Sequence, residues 1–197
     1  MRIAIVGMGG VGGYFGGKLA QAYALSETHE IIFMARGEHL AAIQQKGLQL
    51  LTKEGDGIAW PNIATDNPDL AGPVDLTLFC VKSYSLETAA HFFKNNVKKG
   101  SIVIPLLNGV DSSERLRAVL PHAEVVGGSV YIISHIENPG VVRQEDGACR
   151  LIFGTDDETS ARKYADLLEL FIMGKIKATL TDKMSVALWT KFLLMCP

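Results

Sequence analysis

Residues 1–16 read MRIAIVGMGGVGGYFG, and this stretch decides the fold. Residues 3–6 form a short, β-branched apolar run, which is typical of a buried parallel strand. Three glycines with the spacing G-x-G-x-x-G follow at once, and an amphipathic stretch over residues 14–24 comes after them. The order of strand, glycine turn and helix is the context in which this spacing predicts a dinucleotide-binding turn.

Each glycine of this turn has its own predicted role. Gly7 permits a tight turn, Gly9 lets a pyrophosphate approach the backbone, and Gly12 lets the helix pack against the strand. The first amide groups of the helix have no internal partners, and the helix dipole favours an anion beside them. A glycine-rich turn without a ligand is the alternative. We assign the turn to cofactor binding through Gly7, Met8, Gly9, Gly10, Val11 and Gly12.

The composition indicates a globular α/β protein. The chain has 197 residues, 48% of them hydrophobic, which is enough for one well-buried domain and at most a small addition. The net charge of -2 argues against nucleic acid or an anionic membrane surface as a partner. No uncharged apolar run approaches the roughly 18 residues that a membrane helix needs. With the first strand starting at residue 2, we expect no signal peptide and a cytoplasmic protein.

Cysteine and histidine usage predicts neither disulfides nor a metal site. Cys80, Cys149 and Cys196 form no CxxC pair, and each lies in an apolar context. They are interpreted as small core residues in a reducing compartment. The five histidines are scattered without metal-ligand spacing, so we expect no metal.

The second predicted strand, residues 30–35, ends at Arg36. In this fold the residue at that point meets the adenosine ribose, and an acidic side chain there would select NAD. An arginine instead suits the 2′-phosphate of NADP, because a guanidinium pairs with phosphate through a planar fork. The alternative is a solvated loop arginine, and the nearby Glu38 could either orient Arg36 or weaken its role.

Two further strands, residues 74–81 and 101–107, end in candidate site residues. Ligands of open α/β sheets lie outside the carboxyl ends of the strands. Lys82 could there face the cofactor ribose or an anionic substrate, and Asn108 could bond the nicotinamide, its ribose or a substrate oxygen. The alternatives are a lysine that caps its strand toward solvent and an ordinary Asn-Gly turn.

The remaining pattern predicts a doubly wound, mostly parallel Rossmann-type sheet with short added strands. We expect a hairpin around residues 55–57, one strand over residues 123–133 and an edge strand over residues 175–180. We also expect residues 140–144 and 149–153 to pair as antiparallel strands, and residues 159–171 to form one helix.

The last stretch, residues 181–197, predicts a helix that is apolar almost all round, with Lys191 as its only charge after Lys183. Such a helix is expected to be buried, here by a partner or by a further domain. Burial would lower the pKa of Lys191 and make it a candidate for proton transfer. The alternative is that its side chain reaches solvent.

Together these motifs resemble the ketopantoate reductase family, the 2-dehydropantoate 2-reductases of pantothenate and coenzyme A synthesis. The resemblance spans the whole chain, in order, through GMGGVGGYFG at 7–16, ARG at 35–37, CVKS at 80–83, LNG at 107–109 and LWTKF at 188–192. It implies NADPH as cofactor and a 2-oxo acid, ketopantoate, as substrate. The resemblance implies that the glycines bind the pyrophosphate and that Arg36 binds the 2′-phosphate. It also implies that Lys82 and Asn108 line the nicotinamide and substrate site. Lys191 would be the general acid, with Asn108 beside it in catalysis.

Two departures from the family pattern qualify this expectation. Members carry an asparagine four residues after the lysine, where this chain has Met195, which leaves open another 2-oxo acid as substrate. The family also has an all-helical domain of roughly a hundred residues with a substrate-binding glutamate and serine. We therefore assign residues 1–180 to NADP binding and 181–197 to the start of that domain, and expect this polypeptide to bind NADPH but turn over poorly. The rival function is that of a non-catalytic NADP-binding module. An exposed end of the last helix would favour a homodimer.

Overall fold

The computed structural model describes residues 1–145 and 147–195. Within them the helices are α1 (Gly10–Ala22), α2 (Gly37–Lys46), α3 (Pro68–Ala71), α4 (Leu86–Phe93), α5 (Ser112–Val119), α6 (Glu158–Arg162), α7 (Ala165–Met173) and α8 (Met184–Met195). The strands are β1 (Arg2–Val6), β2 (Glu30–Met34), β3 (Leu48–Leu51), β4 (Gly57–Ala59), β5 (Ile63–Thr65), β6 (Val74–Phe79), β7 (Val97–Pro105), β8 (Glu124–Val125), β9 (Gly127–Tyr131), β10 (Ser134–Asn138), β11 (Val141–Gln144), β12 (Arg150–Gly154) and β13 (Lys177–Thr181).

The main sheet has six parallel strands in the order β5-β2-β1-β6-β7-β8. Alternate residues of β1 enter two separate cores, with Ile3 and Ile5 on one face and Ala4 and Val6 on the other. Because helices cover both faces, the strand is apolar from Ile3 to Val6. The predicted Rossmann-type, doubly wound sheet is confirmed. Its strand order reverses at β1 and β6, which is where such sheets bind ligands.

Close packing between α1 and β1 explains two of the N-terminal glycines. A Cβ added at Gly12 would lie 2.0 Å from the carbonyl oxygen of Gly7, and one added at Gly16 would lie 3.0 Å from Ile5 Cγ1. Any larger residue at Gly12 would push the start of the helix off the sheet. The predicted helix starts earlier than expected, at Gly10 rather than residue 14.

Two smaller sheets, in the orders β10-β11-β3-β4 and β13-β12-β9, correct several predictions. The predicted strand over residues 123–133 is wrong as a single element, because β8 joins the main sheet and β9 joins the three-stranded sheet. The predicted antiparallel pair is also wrong. β11 pairs with β10 and β3, whereas β12 pairs with β9 and β13. Alternating apolar residues indicate which face of a strand is buried, but they leave its partner open.

The other local predictions have mixed outcomes. The hairpin of β3 and β4 and the edge position of β13 are confirmed. The single helix predicted over residues 159–171 is wrong, since α6 and α7 divide it, and α6 is capped by the Asp157 side chain. Cys80 is buried and Cys149 is half-buried, whereas Cys196 lies outside the described residues.

The described part of this chain does not bury helix α8, and its burial by a partner or a further domain stays a prediction. Of its described residues only Met184 and Lys191 are buried, while Trp189 is 53% exposed and Leu193 is 70% exposed. The helix rests on β9 and β12. Its charged side chain therefore points inward, and most of its apolar side chains face outward. No helix in the described part of the chain has the length and apolar character needed to cross a membrane.

Candidate active site

A cleft of about 920 Å³ opens at the carboxyl ends of β1, β6 and β7. It brings together most of the residues that the sequence predicts for the site. Its lining includes Gly7, Gly9, Gly10, Val11, Arg36, Lys82, Asn108 and Lys191. Met8 and Gly12 lie outside it, because the Met8 side chain enters the core and Gly12 packs on the carbonyl of Gly7.

The glycine turn presents an open backbone surface to this cleft. Gly7 has a φ of +99°, which an L side chain rarely adopts. A Cβ added at Gly9 would meet no protein atom within 4 Å, so protein packing does not explain a glycine there. The first turn of α1 holds no acidic side chain. Its free amides and dipole are therefore available to an anion in the cleft.

Two exposed cations, Arg36 and Lys82, line the cleft beyond the glycine turn. Arg36 is the N-cap of α2, at the end of β2, and Lys82 follows β6. Within residues 1–145 and 147–195, neither side chain forms an ion pair or a hydrogen bond. In particular, Arg36 does not pair with the nearby Glu38. Both cations are thus free to meet an anionic ligand.

Lys191 and Asn108 meet in the cleft. Lys191 Nζ donates a hydrogen bond of 2.8 Å to Asn108 Oδ1, across 83 residues of sequence. The loop that carries Asn108 turns at Gly109, whose φ is +117°. The amide oxygen can accept this bond without adding a charge, so the lysine remains the only charged member of the pair.

Lys191 is 7% exposed, which excludes the alternative that its side chain reaches solvent. Its Nζ lies 5.7 Å from the centre of the Tyr131 ring. Burial lowers the pKa of Lys191 below the ordinary lysine value. An ammonium whose pKa is lowered releases its proton more readily, as general acid catalysis at near-neutral pH requires.

Two tyrosines of the cleft were not predicted from the sequence. Tyr131, at the end of β9, contributes its ring, and Tyr84, at the mouth, is 84% exposed. Met195 also lines the cleft, one turn after Lys191 on α8. Neither tyrosine belongs to a motif. Strand β9, which carries Tyr131, reaches the cleft through tertiary pairing, whereas Tyr84 lies two residues after Lys82. A signal for Tyr131 could have come from its place at a strand end, as it did for Lys82.

The charge of the lining favours anions. Three cations line the cleft, and none of its described lining residues is acidic. A low-dielectric cleft with one sign of charge concentrates oppositely charged ligands. Over residues 1–145 and 147–195, there is no group of three or more His, Cys, Asp or Glu side chains that could hold a metal ion.

Comparison with known proteins identifies the family and supports the fold. The model of the family described as Ketopantoate reductase PanE/ApbA matches residues 3–158. The crystal structure of 2-dehydropantoate 2-reductase from Porphyromonas gingivalis W83 superposes with a TM-score of 0.93 at 34% identity, covering 99% of this chain and 69% of that one. The 2-dehydropantoate 2-reductase of Halobacterium salinarum is 30% identical over 194 residues, which are 98% of this chain and 62% of that protein.

A more distantly similar enzyme of known structure shares this fold. The ternary structure of D-mandelate dehydrogenase with NADH and anilino(oxo)acetate has a TM-score of 0.82 at 24% identity, covering 97% of this chain and 60% of that one. At this identity the likeness concerns the fold alone. The chain spans about three fifths of the length of the curated relatives it matches, 61% and 62% in two of them.

Proposed function

Because this chain belongs to the ketopantoate reductase family, we propose that it serves the NADPH-dependent reduction of 2-dehydropantoate to pantoate, a step of pantothenate and coenzyme A synthesis. One observation carries the proposal. The buried ammonium of Lys191, bonded to Asn108, lies in the same cleft as a glycine turn suited to a pyrophosphate. These are the acid and the cofactor cradle of a carbonyl reductase.

The described residues fit a dinucleotide along the cleft. Gly9 leaves its backbone open, which supports the pyrophosphate position, and the unpaired Arg36 supports the 2′-phosphate of NADP over NAD. Lys82 and Asn108 would face the nicotinamide end and the substrate. In this assignment residues 1–180 hold the cofactor, and residues 181–197 begin a helical substrate-binding part. The exposed apolar face of α8 favours association into a homodimer.

When bound, NADPH supplies a hydride to the C2 carbonyl carbon of the 2-oxo acid. Negative charge then develops on the carbonyl oxygen, and the Lys191 ammonium stabilises it and donates a proton to it. Asn108 holds this ammonium in place through the 2.8 Å hydrogen bond. The same positive charge attracts the carboxylate of the substrate.

A second candidate substrate, another 2-oxo acid, is favoured by one residue. Met195 lines the cleft one turn after Lys191 and offers a substrate hydroxyl only a weak sulfur acceptor and no donor. A pocket that has an apolar side chain there suits a less polar 2-oxo acid than ketopantoate. The reductase chemistry is the same for both substrates.

The test is NADPH oxidation by the full-length protein, followed by absorbance, with ketopantoate and a panel of other 2-oxo acids at near-neutral pH. Turnover with ketopantoate alone supports the first proposal, and turnover with a different 2-oxo acid supports the second. Tight NADPH binding without turnover of any substrate would overturn both and favour a non-catalytic NADP-binding module. NADH serves as the control cofactor and should oxidise more slowly.

A further inference from the structure

Arg115, on α5, binds the loop that carries Lys82. Its Nη1 donates to Ser83 Oγ at 2.8 Å, and its Nη2 donates to the Ser83 carbonyl oxygen at 2.7 Å. Ser83 follows Lys82 directly and itself lines the cleft. One guanidinium therefore holds both the side chain and the backbone of the residue next to Lys82.

Glu87, in the first turn of α4, fixes the same guanidinium. Arg115 Nε donates to Glu87 Oε1 at 2.6 Å, and Nη2 donates to Oε2 at 2.7 Å. These two parallel bonds form a planar fork, which only arginine can make with a carboxylate. The hydrogen bonds from Arg115 lower the pKa of Glu87 to about 2, so the pair stays charged at every pH at which the protein would work.

The other loop of the cleft is tied to the same arginine. Asp111, three residues after Asn108, is the N-cap of α5, so the Asn108 loop leads directly into the helix that carries Arg115. The first-turn bond of this helix runs from the Arg115 backbone N–H to the Asp111 carbonyl at 3.0 Å. Asp111 Oδ1 also lies 3.7 Å from Arg115 Nη1. The guanidinium thus lies between the segment that carries Lys82 and the segment that carries Asn108.

We propose that Arg115 and Glu87 form a positioning pair that holds the Lys82 loop in place relative to the Asn108 loop. By holding the loop, the pair increases the affinity of the cleft for its cofactor. Neither residue lines the cleft, so both act through others. An exposed ion pair is commonly worth little, and the Glu87 side chain is 44% exposed, but this pair is a fork in which the Arg115 side chain, 24% exposed, makes five polar contacts. The proposal rests on the NADPH-binding function proposed above.

The experiment is a double-mutant cycle on NADPH binding, measured by fluorescence titration. Arg115→Ala should weaken NADPH binding about tenfold, as expected when a charged hydrogen-bond network is lost. Lys82→Ala should also weaken it. If Arg115 acts through Lys82, the double variant binds within about twofold of Lys82→Ala alone, whereas independent losses would multiply.

Three further variants separate positioning from simple packing. Arg115→Lys keeps the charge but loses the fork, so it should behave like Arg115→Ala, and Glu87→Gln should share the defect. Arg117→Ala is the matched control, since Arg117 lies on the same helix and donates to the Val125 carbonyl at 3.1 Å, away from the Lys82 loop. It should bind NADPH like the wild type.

The outcomes distinguish this proposal from the proposed function. If the wild-type protein does not bind NADPH, the proposed function fails. If the wild type binds and Arg115→Ala binds equally well, or if the losses from Arg115→Ala and Lys82→Ala multiply in full, the positioning role is refuted while the function stands. Because binding is measured directly, no turnover is needed.

Discussion

Two glycines of the N-terminal turn, Gly9 and Gly12, should respond in opposite ways to the same substitution. A Cβ at Gly9 meets nothing within 4 Å, whereas a Cβ at Gly12 would lie 2.0 Å from the carbonyl oxygen of Gly7. Gly9 has a φ of -74°, which alanine adopts freely. We therefore expect Gly9→Ala to affect ligand binding and Gly12→Ala to affect folding.

The magnitudes follow from these two environments. At Gly9, the helix N-cap, alanine is a poorer cap by about 0.5–1 kcal/mol, and it stabilises by about 0.4–1 kcal/mol through the unfolded chain, so the free energy of unfolding stays within about 0.5 kcal/mol. At Gly12 the backbone contact forces a shift that costs about 1–3 kcal/mol. In a chain of this size that lowers Tm by about 2–12 °C.

The assay is thermal unfolding of both variants, together with NADPH titration. Gly9→Ala should melt like the wild type and bind NADPH at least about tenfold more weakly, a change of ~1.4 kcal/mol, because its methyl group occupies the approach of the pyrophosphate. Wild-type affinity in Gly9→Ala would refute the pyrophosphate position. Equal losses of Tm in both variants would show that packing alone explains the two glycines.

Three other predictions test charge. Arg36→Ala should weaken NADPH binding about 10–100-fold through loss of a charge-assisted fork and leave NADH binding unchanged, and equal losses for both would contradict the 2′-phosphate role. Burial lowers the pKa of Lys191, so kcat/KM should begin to fall with rising pH at a pH below the ordinary lysine pKa. The Lys191→Arg variant should not show this fall, because its guanidinium stays protonated. The same pH profile in Lys191→Arg and in the wild type would contradict the acid role. Burial also lowers the pKa of His39, whose Nδ1 accepts the Gly140 N–H at 3.0 Å, so stability should be level above about pH 6.5 and decrease as the pH falls below it. Denaturant unfolding should give a smaller acid loss for His39→Gln than for His91→Gln, a variant of an exposed histidine.

The fold was predictable where local signals and the global topology agree. β1, the glycine turn and α1 are adjacent in sequence and contact one another directly, so spacing alone indicated their arrangement. Lys82 and Asn108 could be placed because the carboxyl ends of parallel strands share one edge of a sheet. Their position in the cleft follows from the fold, and their roles stay predictions.

The smaller sheets were not predictable because their pairings are non-local. β11 pairs in parallel with β3, about 90 residues earlier in the chain, and β12 pairs antiparallel with β9. A strand pattern gives each residue a face but no partner, and short strands pair with whichever edge the rest of the fold presents. The Arg115 network was missed for a related reason, since it joins two loops through side chains that carry no motif.

Helix α8 shows most clearly that local energetics did not decide the arrangement. Burying an ammonium costs free energy, and the hydrogen bond from Lys191 to Asn108 only partly offsets that cost. The outward apolar residues of α8, such as Leu193 and Leu194, form the face that the proposed helical part or a partner would cover. The inward position of Lys191 has no such explanation. Violations of this kind are expected at functional sites. The burial of Lys191 therefore supports a chemical role on grounds independent of any motif.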